Sequence, residues 1–218
     1  MKVVSVNAGS SEVMTIGART VETGIRKSPV GRGHVHALGL AGDVVADKEN
    51  HGGLDQALYL YSLEDYDFWA AQLGGTPAPG TFGENLTLTS LGEQPVRIGE
   101  RFRLGEALVE ATAPRIPCAV FATRMDEDSW VKRFAEARRP GLYVRVLEPG
   151  KVAEGDPVER LGGGDGHPTV VELMDVWYDP EPDPALLERL LASPLAERAR
   201  MNVERMLSRA PARARSRA

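Results

Sequence analysis

Glycine and proline punctuate this chain so densely that most of it can fold only as short strands joined by turns. There are 23 glycines and 15 prolines in 218 residues, against an aromatic content of only 6%. Proline fixes φ and removes a backbone donor, and glycine inside a helix or strand costs conformational entropy. Turn-rich β structure is favoured over a helical bundle on this ground. Strand-like runs lie at residues 2–8, 21–27, 56–61, 86–88 and 142–147, with another beginning at Val158. A hairpin signal at Gly105-Glu106 sits within 96–112. Two segments read as helix. Leu63, Tyr66, Trp69, Ala70 and Leu73 have helical spacing, and residues 129–138 suit a shorter helix. The expectation is a mainly β fold, a closed or nearly closed barrel carrying a few short helices.

The composition changes after the glycine-rich stretch Leu161-Gly162-Gly163-Gly164-Asp165-Gly166. Asp183-Pro184 and Ser193-Pro194 each offer a capping residue followed by proline at the first helical position. The spacing predicts helices over 169–177, 184–192 and 194–208. The expected organisation is a barrel domain over 1–161, a linker over 162–168, a small three-helix domain over 169–208 and a basic, disordered tail over 209–218. That tail holds Arg209, Arg213, Arg215 and Arg217 and no acid, so the net charge of −5 conceals a more acidic body. An acidic body argues against broad nucleic-acid binding. No apolar run approaches the roughly 20 residues that span a bilayer. The start Met1-Lys2-Val3-Val4-Ser5-Val6 reads as a strand and not as a secretory signal. With one cysteine in the chain, a cytoplasmic location is expected.

That cysteine, Cys118, ends the segment Ala113-Pro114-Arg115-Ile116-Pro117-Cys118. It has no partner for an intramolecular disulfide, and two prolines brace the chain before it. Arg115 brings a fixed positive charge of the kind that favours a thiolate. A thiol so placed can be a nucleophile, a soft metal ligand or a small buried hydrophobe. The sequence carries no P-loop, dinucleotide fingerprint, serine nucleophile elbow or zinc-binding pattern. A Cys/His nucleophile pair remains open with His34, His36 or His51. In Asn50-His51-Gly52-Gly53 the paired glycines let a backbone approach a ligand closely, and the alternative is a plain turn with a solvated histidine. Lys27-Ser28-Pro29 makes a corner that can hold a phosphate or simply lie at the surface. In Phe82-Gly83-Glu84-Asn85-Leu86, Asn85 offers an amide edge, or the segment is a tight turn. Arg145, inside an apolar strand, either points outward or faces a buried anion.

Taken in order, Lys27-Ser28-Pro29-Val30, Gly39-Leu40-Ala41-Gly42-Asp43, His51-Gly52-Gly53-Leu54-Asp55, Phe82-Gly83-Glu84-Asn85-Leu86, Pro114-Arg115-Ile116-Pro117-Cys118 and Gly141-Leu142-Tyr143-Val144-Arg145 resemble the motifs of MOSC domains. The likeness is to the YiiM-like branch and spans roughly residues 1–160. The three C-terminal helices also resemble the small domain that follows MOSC in that branch. The resemblance implies a β-barrel that binds a molybdopterin-type molybdenum cofactor, with Cys118 as both metal ligand and catalytic residue. It implies that Lys27, Ser28, Arg115 and Arg145 meet the charge of the cofactor and that His51, Gly52, Gly53 and Asn85 line its pterin. The implied activity is two-electron reductive N–O cleavage of N-hydroxylated compounds: hydroxylaminopurine-type bases, amidoximes or hydroxylamines. A separate flavin or iron–sulfur reductase would supply electrons, since no flavin, haem or nicotinamide motif is visible. The C-terminal helices then have three possible uses: docking that donor, covering the substrate entrance or supporting a homodimer. No membrane and no specific nucleic acid enter the scheme. The alternative is a carrier that delivers molybdenum cofactor or sulfur without turnover, and a cysteine hydrolase with a histidine base is a third reading.

Overall fold

The computed structural model describes residues 1–48 and 51–209. The basic tail beyond Arg209 and the Asn50 of the histidine-glycine motif lie outside the described residues. The two longest intervals before residue 160 that are free of glycine and proline are 54–73 and 118–139. Among the described residues, all three α-helices that precede the C-terminal segment form there: α1 (Leu63–Leu73), α2 (Ala119–Met125) and α3 (Trp130–Ala137). Ser62 caps α1 by accepting a hydrogen bond from the Asp65 amide at 3.2 Å, and Gly74 ends it at φ 74°.

The remainder is mostly strand: β1 (Val3–Gly9), β2 (Glu12–Ile16), β3 (Arg19–Thr23), β4 (Lys27–Pro29), β5 (Arg32–His36), β6 (Gly39–Leu40), β7 (Leu58–Ser62), β8 (Leu86–Leu88), β9 (Arg101–Leu104), β10 (Ala107–Ala113), β11 (Leu142–Glu148), β12 (Gly150–Ala153) and β13 (Val158–Gly162). Eight of them form one sheet in the order β13-β9-β10-β11-β7-β8-β1-β4. Every pairing in it is antiparallel except β7 with β8. A parallel pair needs a crossover, and α1 with the segment after it supplies one. A three-stranded sheet β12-β5-β6 and the hairpin β2-β3 complete the β structure.

The expected closed barrel is corrected here to a mixed α/β fold on one large, curled sheet. Its outer strands β13 and β4 do not pair with each other. The start of β1 does approach the entry to β13: Val3 N–H reaches Asp156 O at 2.9 Å, and Val158 N–H reaches Met1 O at 3.0 Å. Among the described residues the only bridge between them is Lys2 with Pro157. Gly155 N–H also reaches Val3 O at 2.9 Å, so the contact is a short run of backbone bonds and not a ladder between the outer strands.

The last three helices are α4 (Val170–Tyr178), α5 (Pro184–Leu191) and α6 (Glu197–Arg209). Thr169 and Glu172 form a reciprocal capping box at the start of α4, and Asp183 caps α5 ahead of Pro184. Their buried residues, including Leu173, Leu187 and Val203, belong to the same apolar cluster as the sheet interior. Backbone bonds join the parts directly, Val170 N–H to Val96 O at 2.9 Å and Ala196 N–H to Thr112 O at 3.1 Å. An aromatic cluster seats α1, α2 and α3 together. Trp69 stacks on Phe134 with centroids 5.9 Å apart and meets Trp130 at 4.7 Å, and Phe121 meets Phe134 at 5.1 Å. Since Phe121 belongs to α2, this cluster fixes the helix that begins at Cys118.

Candidate functional site

Strand β10 carries the chain through the core to Ala113, and the next five residues cross to α2. Pro114, Arg115 and Pro117 are buried, while Ile116 and Cys118 are half-buried. Cys118 is the residue before the first turn of α2, with extended backbone at φ −134° and ψ 173°. Its carbonyl accepts from the Ala122 amide at 3.0 Å, which closes that turn. Its side chain makes no capping bond and no disulfide. The carbonyl is therefore engaged in the helix start, and the sulfur is in neither a capping bond nor a disulfide.

Two cavities meet at this cysteine. One, of about 260 Å³, lies between the Pro114–Cys118 segment and helices α4 and α6. The other, of about 100 Å³, lies between Cys118 and the β3–β4 region, with Lys27 and Arg115 on its wall. Cys118, His51 and Tyr143 line both. Burial raises the Tyr143 phenol above its ordinary range, so it stays protonated. His51 is pushed down to about 4, first by burial and then by the charge of Arg115. It is a neutral imidazole at pH 7. No hydrogen bond joins it to Cys118 among the described residues, so the nucleophile pair that a cysteine hydrolase needs is not assembled.

Arg115 is 5% exposed. A guanidinium does not give up its proton at ordinary pH, so this is an obligatory buried charge. Its carbon stands 4.3 Å from the Phe121 ring centroid and 5.0 Å from that of Tyr59. Among the described residues it forms no ion pair, and its Nε has no hydrogen-bond partner. A charge buried in this way is costly unless something anionic meets it. Lys27 is different. It pairs with Asp43, with both side chains almost wholly covered. Burial lowers its pKa, and the same aspartate opposes the shift. Asp43 is itself held by the Gly9 amide at 2.8 Å and the Asn85 side-chain amide at 2.8 Å.

The structure thus brings Cys118, Arg115, Lys27 and His51 to one place. Gly52 and Gly53 shape the loop that delivers His51, with φ 68° and 82°, and do not line either cavity. A side chain on Gly52 would meet Val45 Cγ1 at 2.9 Å. Ser28 is exposed on β4, away from both cavities. The amide of Asn85 is occupied on both sides: Oδ1 accepts from the Tyr59 backbone at 3.1 Å, and Nδ2 donates to Asp43. Arg145 pairs with Asp55 at 3.1 Å and Glu110 at 3.5 Å and donates to the carbonyls of Pro194 and Leu195. It joins the sheet to the start of α6 and lines neither cavity. Glu84 is fully buried, accepts from Tyr66, Gly80 and Thr87, and is held above the usual carboxylate range by burial.

Sequence reasoning missed the residues that come from the C-terminal helices. Arg198 of α6 donates to Gly52 O at 3.1 Å and to Gln56 Oε1 at 2.9 Å, and also reaches the carbonyls of Lys48 and His51. It ties the histidine loop to α6. Leu173 and Trp177 of α4 and Ala199 and Asn202 of α6 form the far wall of the larger cavity. Their 3- and 4-residue spacings are ordinary for packed helices, and nothing local sets them apart.

Residues 47–159 match the MOSC domain family. Uncharacterized protein YflK of Bacillus subtilis is 35% identical over 191 residues, 87% of this chain and 86% of that protein. A protein named Reductase from Gibberella moniliformis is 30% identical over 164 residues, 72% of this chain but only 29% of the fungal protein. The crystal structure of YiiM from Geobacillus stearothermophilus superposes with a TM-score of 0.78 at 27% identity, covering 94% of this chain and 98% of that one.

Proposed function

This chain belongs to the MOSC domain family, on a YiiM-like fold, and we propose that it is a molybdenum cofactor-dependent reductase of N-hydroxylated compounds. MOSC domains are associated with molybdenum cofactor binding in general, and one relative carries the name Reductase. The observation that carries the reading is the juxtaposition of Arg115, buried without an anionic partner, with the unengaged sulfur of Cys118 where two cavities meet. A thiolate suits a soft, sulfur-rich metal centre, and a buried guanidinium without an ion pair suits an anionic pterin phosphate. The donor set therefore fits the cofactor. Cys118 would hold the metal, and Arg115 and Lys27 would meet the anionic part. His51 would contact the pterin as a neutral hydrogen-bonding ring. Asn85 and Arg145 act at a distance: Asn85 holds Asp43 against Lys27 and Arg145 fixes α6, whereas Ser28 lies at the surface.

The bound cofactor supplies two-electron redox chemistry at molybdenum. The residues of this chain anchor it, neutralise it and enclose the reacting group. The overall change takes an N-hydroxyl compound, two electrons and two protons to the amine and water. Electrons come from a separate flavin or iron–sulfur protein. No helix of the described residues is long and apolar enough to cross a membrane. Turnover tests the reading. Protein made in a molybdopterin-competent host, given reduced viologen, should convert a hydroxylaminopurine or benzamidoxime to the amine. Fully loaded protein that fails across a panel of N-oxygenated compounds would instead be a carrier.

A further inference from the structure

The larger cavity has a wall whose chemistry is specific. Trp177 is half-buried on α4 and lines it, and among the described residues its ring makes no hydrogen bond, ring contact or cation contact. The other two tryptophans, Trp69 and Trp130, are completely buried and surrounded by aromatic rings. A large flat ring left unpartnered on a cavity wall is a surface for another flat ring. The facing segment is also apolar and stiff, with Pro114, Ile116 and Pro117 on it. Polar recognition comes from one edge. Arg198 donates to Gln56 Oε1 at 2.9 Å, which fixes the orientation of that amide and leaves Nε2 as a donor with no partner among the described residues. Cys118 lies on the same cavity. Its volume of about 260 Å³ is below the roughly 300–1,000 Å³ of sites that take drug-sized ligands and suits a one- or two-ring heterocycle.

We infer that this cavity is a ring-binding subsite, with Trp177 as its stacking platform and Gln56 as its edge donor, and that it selects planar heteroaromatic substrates over aliphatic hydroxylamines. This deepens the reductase reading and rests on it for the word substrate, but the binding itself does not depend on turnover. The C-terminal helices thereby become part of the site, because Trp177, Leu173 and Ala199 come from them.

The test is calorimetric titration of the full, cofactor-loaded chain, without an electron donor, using adenine as the probe and cyclohexanol, an uncharged saturated ring, as the comparator. Adenine should bind saturably, and cyclohexanol at least about tenfold more weakly, in line with the usual strength of base–aromatic stacking. Trp177→Ala should weaken adenine about tenfold, whereas Trp177→Phe, which keeps a stacking face, should stay within about threefold. Tryptophan fluorescence of the unmutated chain gives a readout free of folding defects. Adenine should quench it, since Trp69 and Trp130 are sealed in the core. Equal binding of the saturated ring, unchanged affinity in Trp177→Ala, or no quenching would overturn the inference. So would adenine binding only to cofactor-free protein, since the cavity would then belong to the cofactor. Trp177-dependent binding with no turnover of any substrate would overturn the reductase reading alone.

Discussion

Replacing Arg115 by methionine separates a guanidinium kept for a ligand from one kept for the fold. Arg115 contacts two aromatic rings, at 4.3 and 5.0 Å, and these contacts stabilise the protein by about 1 kcal/mol each. Against that stands a buried Nε without a partner, which costs about 1–3 kcal/mol. The two effects cancel to within about 1 kcal/mol, so cofactor-free Arg115→Met should melt within about 4 °C of the parent. Arg145 is the control. It also has one orphaned Nε, but its terminal nitrogens serve two carboxylates and two carbonyls. Arg145→Met strands Asp55 and Glu110, although Arg101 still pairs with Glu110 and the Glu197 amide still reaches Asp55. Its cost should be near the low end of a broken buried pair, about 3 kcal/mol, or a fall of about 6–12 °C. Cofactor retention should rank the other way. Losing a charge-assisted contact worth about 1.5–3 kcal/mol should cut affinity about 10- to 100-fold in Arg115→Met and leave Arg145→Met near the parent. The assay pairs thermal unfolding of cofactor-free protein with pterin content after purification from a competent host. An Arg115→Met protein that melts as low as Arg145→Met while retaining its pterin would refute the reasoning.

His51 titrates at about 4 in the folded chain against 6.5 unfolded, so between those values the unfolded state binds the extra proton. Its contribution of about 3 kcal/mol is complete above pH 6.5 and is lost as pH falls toward 4. His51→Gln should remove that slope from unfolding free energy measured between pH 4 and 7, and an unchanged slope would contradict the assignment. Arg198→Met should free the histidine loop, raising amide exchange over residues 51–57 by about tenfold while α6 keeps its protection. Equal protection in both regions would show that Arg198 is not the tie.

Several elements were legible because their signals are local. Helix α1 has its periodicity, and α5 announces itself through Asp183-Pro184. Helix α2 was not anticipated. It begins at Cys118 without a side-chain cap, and Phe121 settles it only through distant rings. The barrel failed to close for a reason equally remote from local pattern, since it depends on whether the outer strands β13 and β4 meet across the sheet. The same division holds at the site. The brace around Cys118 could be read directly, but Asn85 and Arg145 offered identical chemistry to a ligand or to Asp43, Asp55 and Glu110. Only the fold shows which partner they took. Arg198 and Trp177 enter from a segment more than 50 residues beyond the cysteine, and in sequence they look like any face of a surface helix.

The most direct test of the central claim is the number of sulfur atoms around molybdenum. X-ray absorption on cofactor-loaded protein should show one sulfur fewer in Cys118→Ser than in the parent, with circular dichroism unchanged, because Cys118 donates no capping or disulfide bond to the fold. An identical sulfur count in the two proteins would mean that Cys118 is not the ligand.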